Sequence, residues 1–408
     1  MNLGRIREYD VLVITALIWF LGKFARYAFP PLFEPLQASY GVSNAAVGAA
    51  FSGFIAVYAL LQFPSGAVAD RVGAVRVIAA GAAVAGVGAL SLMIDTSFAV
   101  LAGVMLVIGA GTGAHKTVAV RLLSRVYPTR TGRALGAHDT FGALGGAAAP
   151  AAVTLFVAAP PALAALLSRL PGADWRGLFV ATGVVALALA AVFSLRVPDR
   201  LLADAERGPE RTEPDPSARD YLALFEDRRL AGFALATIAF SFAYNGTVAF
   251  LPLYLSEAGG LSSATANLLY SALFAVTFVQ LVSGDLSDRL GRFPVMVAAL
   301  GLAAAALVGV VALAEARPVV LGALVVAFGL GTHGFRPVRG AYLIESLPDR
   351  LAGGGLGAVR TLLMAAGALA PATVGAVADA SGFRPAFGLL AGALALSAAV
   401  AAWLWVAE

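Results

Sequence analysis

The amino-acid sequence predicts an all-α membrane protein with twelve transmembrane helices arranged as two six-helix repeats. Three observations support this fold class: the 408 residues are 60% hydrophobic and 13% charged, the apolar residues form long unbroken runs, and one charged motif occurs once in each half. A soluble protein of this length would carry about 25% charged residues. Strands of a β-barrel would alternate polar and apolar residues in segments of about ten, so the long runs indicate helices.

Twelve segments are long enough to cross a hydrocarbon core of about 30 Å, which requires about 20 apolar helical residues. The N-terminal run is too long for a signal-peptide core and lacks a cleavage site, so it is predicted as the first span. The segment 158–175 is short and broken by proline, which predicts a loop or a surface helix. The predicted spans are about 11–36, 44–69, 74–94, 98–126, 131–157, 176–197, 229–256, 263–288, 292–314, 318–346, 350–379 and 384–406.

Arginine distribution predicts the orientation. An even number of spans places both termini on one side, where 17 arginines fall, against 4 on the other side. Cytoplasmic loops carry the excess of basic residues, so we expect a multi-pass protein of the plasma membrane with both termini in the cytoplasm. The only long charged stretch, 198–228, contains prolines and charges of both signs. It predicts a cytoplasmic linker between six-helix bundles at 1–197 and 229–408.

The two halves share the pattern Gly-x-x-x-Asp-Arg-x-Gly. It reads GAVADRVG from residue 66 and GDLSDRLG from residue 284, 218 positions apart. GAGTGAHKTVAVRLLSRVYP (109–128) matches GLGTHGFRPVRGAYLIESLP (329–348) at an offset of 220, and GAHDTFGALGGAAAP (136–150) matches GAVRTLLMAAGALAP (357–371) at an offset of 221. Repeated halves are typical of secondary transporters. The candidate gating residues are Gly66, Asp70, Arg71, Gly73, Gly284, Asp288, Arg289 and Gly291.

The Asp-Arg-x-Gly loops, the duplicated halves and the central charged segment make the sequence resemble the major facilitator superfamily over essentially its whole length. The resemblance implies two halves that rock about a central cavity lined by spans 1, 4, 7 and 10. The loops suit a cytoplasmic latch, since Asp70 and Asp288 can pair with a nearby Arg or with the N-terminus of a neighbouring helix. Gly73 and Gly291 permit tight turns.

Charged residues within the spans indicate a functional site by default, because they are costly to bury in lipid. They fall on spans 1, 4, 5, 10 and 11, while spans 3, 6, 9 and 12 carry none in their cores. Seven basic side chains accompany one clear carboxylate, Asp139, so the cavity is predicted to attract a small anionic solute. The candidate substrate contacts are Lys23, Arg26, Tyr27, Lys116, Arg336, Tyr244, Asn245 and Arg360.

Asp139 and His138 are the candidates for proton coupling, which makes H⁺ the expected coupling ion. Two interpretations of Asp139 stay open: a protonation site, or a structural partner for Lys116, Arg121 or Arg360. Arg121 and Arg339 either line the site or extend to the inner surface. His115, His138 and His333 are each either proton carriers or packed, hydrogen-bonded residues.

The leading prediction is a secondary transporter of an organic carboxylate, working by alternating access. One alternative is a drug or lipophilic-cation/proton antiporter, which needs an embedded acid free to bind cations; another is a membrane sensor without transport. The Gly-Pro pair that drug antiporters of the family carry late in span five is only partial here, from Gly146 to Pro150. With no cysteine and no clustered nucleophile, base or metal ligands, we expect no enzyme activity, metal or cofactor. The expected partners are the solute and the lipid bilayer, and no nucleic acid partner is expected. We expect the protein to be a monomer.

Overall fold

The structure is a computed structural model that describes residues 3–94, 96–169, 175–197, 224–347 and 352–407. Every regular element in these ranges is a helix. Eleven helices are long and apolar enough to cross a membrane, or twelve if Asn44–Leu60 and Pro64–Val72, bent by 44°, form one span. The predicted fold class is confirmed within these ranges.

The chain divides into two compact units, Met1–Val42 with Gly53–Glu210, and Ser43–Ser52 with Arg211–Glu408. The division after Glu210 falls within the predicted linker 198–228, of which 198–223 lie outside the described residues. The helices up to the linker are α1 Leu3–Ala28, α2 Phe33–Tyr40, α3 Asn44–Leu60, α4 Gln62–Val72, α5 Ala74–Ser91, α6 Phe98–Val126, α7 Thr131–Val157, α8 Pro161–Leu167 and α9 Trp175–Arg196. Those after it are α10 Arg228–Glu257, α11 Ser263–Ala275, α12 Val279–Leu290, α13 Arg292–Ala312, α14 Pro318–Ser346, α15 Ala352–Ser381 and α16 Phe383–Val406.

The beginning of α3 belongs to the second unit because α15 binds it. The Asp379 carboxylate accepts hydrogen bonds from the backbone N–H groups of Asn44 at 3.0 Å and Ala45 at 2.8 Å. The hydroxyl of Ser52 accepts one from the N–H of Ala372 at 2.9 Å. The first N–H groups of a helix have no partner within the helix, so Asp379 supplies partners for two of them.

The first span differs from its prediction, which ran without a break over 11–36. The helix begins earlier, at Leu3, and ends at Ala28; Pro30 and Pro31 then start a 3₁₀ turn before α2. Proline lacks the N–H that a continuing helix needs, and its ring clashes with the preceding turn. The segment 158–175 contains the short helix α8, in agreement with a surface helix or loop.

Both units repeat the same local packing. The Thr112 hydroxyl donates to the carbonyls of Ile108 and Gly109 at 2.8 and 3.2 Å, and Thr332, 220 positions later, does the same with Phe328 and Gly329 at the same distances. A Cβ on Gly111 would lie 2.5 Å from the Gly81 carbonyl oxygen, and one on Gly331 would lie 2.5 Å from that of Ala299. The repeat found in the sequence is therefore also a repeat of helix contacts.

Candidate functional site

An aromatic stack in the first unit joins three helices. The Trp19 ring on α1 stacks on His115 of α6, with centroids 5.7 Å apart, and on His138 of α7, with centroids 5.6 Å apart. The two imidazoles face each other edge to edge, with their Nε2 atoms 3.3 Å apart. Both histidines are buried. The arrangement is a histidine pair covered by one indole face.

A hydrogen-bonded chain leads from this pair to an exposed carboxylate. Nδ1 of His138 lies 3.2 Å from Oδ1 of Asp139, and the Lys116 ammonium pairs with the same oxygen. The Asp139 side chain is 60% exposed, whereas that of Lys116 is 21% exposed. Of the three partners considered for Asp139, the structure therefore shows Lys116. The histidine contact and the ion pair each join positions 23 apart, so successive residues of α6 contact successive residues of α7.

The cationic residues of span one lie beside this chain. Lys23 Nζ is 3.3 Å from the Tyr27 hydroxyl and 5.3 Å from the Trp19 ring centroid, and Lys116 Nζ lies 4.9 Å from the same indole. The Arg26 guanidinium lies over the rings of Tyr27 and Tyr58 at 5.5 and 5.3 Å. Ring faces attract cations. The first unit thus brings Lys23, Arg26, Tyr27 and Lys116 together around aromatic rings.

The second unit holds arginines on aromatic rings. The Arg336 guanidinium lies 4.3 Å from the Tyr244 ring centroid, and that of Arg339 lies 5.8 and 5.9 Å from the rings of Phe240 and Phe335. Both arginines are half-buried. Within the ranges that the structure describes, neither has a carboxylate at ion-pair distance. Arg339 instead experiences the like charges of Arg336 and Arg360.

Two polar residues of the second unit are engaged in packing. The Asn245 amide donates to the Ser241 carbonyl at 2.9 Å, and a Cβ on Gly367 would lie 2.6 Å from its Nδ2. The amide therefore lies in the contact between α10 and α15. His333 Nε2 lies 3.1 Å from the Leu273 carbonyl oxygen, which agrees with a packed, hydrogen-bonded histidine.

Equivalent positions of the two repeats carry different charges. At offsets of 220 and 221, Lys116 corresponds to Arg336 and Asp139 corresponds to Arg360. The first unit therefore has an ion pair where the second has two positive residues. At the same offsets His115 corresponds to Phe335, which packs on Phe240 at 4.7 Å between centroids, and His138 corresponds to Val359. One copy carries titratable groups and the other carries fixed positive charge.

Sequence reasoning left Trp19, His115 and Arg339 out of the candidate site. Trp19 looks like any aromatic residue of a membrane span, and no periodicity shows that it stacks on two histidines. For His115 a signal was present: His115 and Lys116 lie 23 positions before His138 and Asp139. Arg339 is predicted either to line the site or to extend to the inner surface, and its guanidinium lies over the adjacent rings of Phe240 and Phe335.

The motif loops have the expected turns but different ion pairs. Gly73 and Gly291 adopt φ angles of +93° and +94°, which a residue with a Cβ rarely adopts. Asp70 accepts hydrogen bonds from Arg121 at 3.0 Å to each oxygen. Asp288 pairs instead with Arg292, whose guanidinium also pairs with Glu345 at 2.6 Å.

The other motif residues contribute less to these contacts. Arg289 pairs with Asp285 on its own helix at 2.9 Å, and Arg71 is exposed. At Gly284 a Cβ would meet nothing within 4 Å, and at Gly66 its nearest neighbour would be Arg121 at 3.8 Å. Space alone therefore does not require glycine at the first motif position.

The comparisons with known proteins agree with this architecture. The chain matches the model of the Major Facilitator Superfamily over residues 15–332 and over 260–408. It is 26% identical over 296 residues to the probable sulfoacetate transporter SauU of Cupriavidus necator, covering 70% of this chain and 64% of that protein. The multidrug resistance protein MdtG of Salmonella typhi is 30% identical over 158 residues, which are 37% of this chain and 38% of that protein. The match thus spans under two thirds of either relative.

Solved structures show the same fold. A bacterial homologue of the human lysosomal transporter Spinster, in an inward-facing and occupied conformation, matches with a TM-score of 0.77 at 17% identity, covering 97% of this chain and 96% of that chain. The nucleoside transporter NupG matches with a TM-score of 0.77 at 15% identity, covering 97% of this chain and 100% of that chain. At these identities the likeness shows the fold alone. The family match over most of the chain establishes the family: this protein belongs to the Major Facilitator Superfamily.

Proposed function

We propose that the protein moves a small organic anion, with a carboxylate or sulfonate group, across the plasma membrane by alternating access. The observation that carries the proposal is the pair Arg336 and Arg339, half-buried on aromatic rings with no carboxylate at ion-pair distance in the described part of the chain. A relative named as a probable sulfoacetate transporter supports an anionic solute.

The charge balance of the second unit favours an anion over a cation. A partly buried guanidinium loses hydration, and a ring face returns only about 0.5–2 kcal/mol. Arg339 moreover lies within the repulsive fields of Arg336 and Arg360. An anion relieves both effects, since the planar guanidinium fork donates two parallel hydrogen bonds to a carboxylate or similar oxyanion. A cation would add to the repulsion.

The first unit supports the same solute class and a proton as the coupling ion. Lys23 and Arg26 add positive charge beside Lys116, whose own charge is offset by Asp139. We propose that Asp139 and His138 take part in proton coupling, because they are titratable groups of this cluster in direct contact. The Asp139 side chain is 60% exposed, so its carboxylate is the accessible end of this cluster.

The drug-antiporter alternative has one supporting observation, the similarity to MdtG over 37% of the chain. The geometry favours it less, because Asp139, the acid it would use to bind cations, already pairs with Lys116. The relative SauU and both solved structures are named as transporters and MdtG as a multidrug resistance protein, so none of these names supports the sensor alternative.

Ligand-dependent melting of the purified protein in detergent tests the solute class. The panel contains sulfoacetate, acetate, succinate, methanesulfonate and the lipophilic cation tetraphenylphosphonium. A ligand that binds only the folded state raises the melting temperature. We expect one or more of the anions to raise it, and Arg336→Gln and Arg339→Gln each to abolish the increase.

The control variant is Arg384→Gln, which removes an exposed ion pair with Glu315 in the same unit. It should respond to the anion as the unmodified protein does. Stabilisation by tetraphenylphosphonium with no response to any anion would overturn the proposal in favour of the antiporter.

A further inference from the structure

We infer that His115 and His138 share a single mobile proton beneath Trp19, and that Asp139 positions His138 instead of carrying the coupling proton itself. The role in transport rests on the proton-coupled function proposed above. The pairing itself follows from the contacts between the two imidazoles, Asp139 and Lys116.

The contacts of Asp139 fix the tautomer of His138. An ionised carboxylate only accepts hydrogen bonds, and Lys116 keeps Asp139 ionised by pairing with it. Nδ1 of His138, 3.2 Å from that carboxylate, therefore carries the hydrogen. A neutral imidazole has one N–H and one bare nitrogen, so Nε2 of His138 is an acceptor.

The contact between the two imidazoles then fixes the tautomer of His115. Its Nε2 lies 3.3 Å from Nε2 of His138, so His115 must donate from Nε2 and its Nδ1 is bare. The backbone of Thr15 approaches the His115 ring, but Nδ1 makes no hydrogen bond of normal geometry within the described residues. The vacant basic position of the chain is thus Nδ1 of His115, at its buried end.

One additional proton fits this arrangement, and a second does not. A proton added at Nδ1 of His115 makes that ring an imidazolium that still donates from Nε2 to His138. The charge moves between the rings if that Nε2 hydrogen passes to His138, and no other bond changes. If both rings were charged, two N–H groups would face each other across 3.3 Å.

The surrounding charges couple this proton to an anion. On α1, Lys23 lies over the Trp19 ring and Arg26 over the nearby Tyr27 ring; on α6 and α7 the nearby charges are Lys116 and Asp139; the Asp70–Arg121 pair links α4 to α6. The facing parts of α5 and α9 carry alanine, leucine and threonine. An anion beside Lys23 and Arg26 would offset the imidazolium charge. The face of the Trp19 ring also stabilises the imidazolium, because ring faces attract cations. Anion and proton would then bind cooperatively, each strengthening the other by the same factor.

The second unit provides the matched substitution. Phe335 occupies the position equivalent to His115 and packs on Phe240, so the scaffold accepts Phe there. His115→Phe should keep the aromatic packing and remove the buried nitrogen. His333→Gln is the control, because His333 lies in the other unit and hydrogen-bonds to a backbone carbonyl.

Nitrogen NMR of ¹⁵N-histidine-labelled protein tests the inference directly, since the chain has three histidines. We expect the neutral pair to show Nδ1–H for His138 and Nε2–H for His115. Titration over about pH 5–8 should add one proton in total, with the signals of both rings changing together. In His333→Gln this behaviour should persist; in His115→Phe, His138 should titrate alone.

Two outcomes would overturn the inference. The first is uptake of two protons by rings that titrate independently. The second is no change in either ring over that pH range, both without an anion and with sulfoacetate, acetate or succinate at about 10 mM, a concentration that also detects weak binding. The measurement needs no transport. If the two rings share a proton but no anion raises the melting temperature, the proposed function would be contradicted and the shared proton would stand.

Discussion

At Gly111 the first unit has space for a hydrogen atom and little more. A Cβ there would lie 2.5 Å from the Ala85 nitrogen and 2.5 Å from the Gly81 oxygen, both backbone atoms of α5. Small residues of this kind let helices approach closely in membranes. The pairing of α5 with α6 therefore depends on this glycine.

We predict that Gly111→Ala lowers the melting temperature, because overpacking costs about 1–3 kcal/mol. The matched control is Gly103→Ala on the same helix, where a Cβ would meet nothing within 4 Å. Alanine should be neutral or stabilising there, since it favours helix more than glycine does. Equal melting temperatures for the two variants, measured by thermal unfolding in detergent, would contradict the close contact.

Arg336 allows a separate test of how the anion is held. We predict that Arg336→Lys weakens anion binding by roughly tenfold, because lysine keeps the charge but loses the planar fork. Arg336→Gln should weaken anion binding more than Arg336→Lys does, by roughly 10- to 100-fold relative to the unmodified protein, as expected for a lost charged hydrogen bond of about 1.5–3 kcal/mol. Titration calorimetry with the best anion of the melting panel measures both. Binding in Arg336→Lys as tight as in the unmodified protein would show that charge alone suffices.

Single residues were predictable as types but not as contacts. The cost of charge in lipid identifies Lys23, Lys116 and Arg336 without any structure. It does not identify partners: Arg121 was considered for Asp139, yet it pairs with Asp70 on α4. A partner depends on which helices are neighbours and on their register, and neither follows from hydropathy.

Among the helices, the ends of α4 and α12 show how two copies of one motif diverge. The first copy uses one exposed ion pair, whose side chains are 52% and 54% exposed. In the second copy, Arg292 is 22% exposed and binds Asp288, Glu345 and the Ser287 hydroxyl. The equivalent of Arg292 in the first copy is Ala74, so the three-partner arrangement cannot form there.

We therefore predict that Arg292→Gln lowers the melting temperature more than Arg121→Gln does. Exposed pairs contribute about 0.2–1 kcal/mol, whereas Arg292 joins α12 to α14 through Glu345 and leaves two carboxylates without a cation when replaced. Thermal unfolding of the two variants side by side makes the comparison. A larger loss for Arg121→Gln would mean that the first copy is the stronger contact.

Helix breaks were mostly not predictable: the prolines of 158–175 indicated a loop or surface helix, but the predicted spans ran unbroken through Pro30, Pro31 and Pro64. The predicted spans 44–69 and 263–288 are both interrupted, the first between α3 and α4 and the other at the 3₁₀ turn Val276–Phe278. The first break precedes Pro64, which lies in the first turn of α4, where proline is tolerated. At the second, the Thr277 hydroxyl bonds back to the Phe274 carbonyl at 2.5 Å. Such bonds bend helices, but most threonines in a span do not reveal whether they form one.

For the whole molecule, the predicted orientation can be tested at the two ends of α6. The chain has no cysteine, so single-cysteine variants need no altered background. Ser97 and Thr129 are both exposed. We predict that a membrane-impermeant maleimide labels Ser97→Cys in intact cells and labels Thr129→Cys only after permeabilisation, because the arginine bias places the end of α6 in the cytoplasm. Labelling in the reverse order would invert the topology.

The fold class followed from the sequence because the bilayer allows few solutions. Backbone polar groups in lipid must be satisfied internally, so long apolar runs are helices. The duplication was also visible, since the offsets of 218 to 221 recur in three places. That Ser43–Ser52 belongs to the second unit was not visible, because it depends on the contact of Asp379 with two backbone N–H groups of α3.

If the histidine pair takes up one proton as we propose, that proton would determine the net charge moved in each transport cycle. A monoanion that moves with one proton carries no net charge, so its accumulation would follow the pH gradient and ignore the membrane voltage. A dianion such as sulfoacetate would still carry one negative charge. An inside-negative voltage would then oppose its uptake by about 2.3 kcal/mol per 100 mV and favour its export by the same amount.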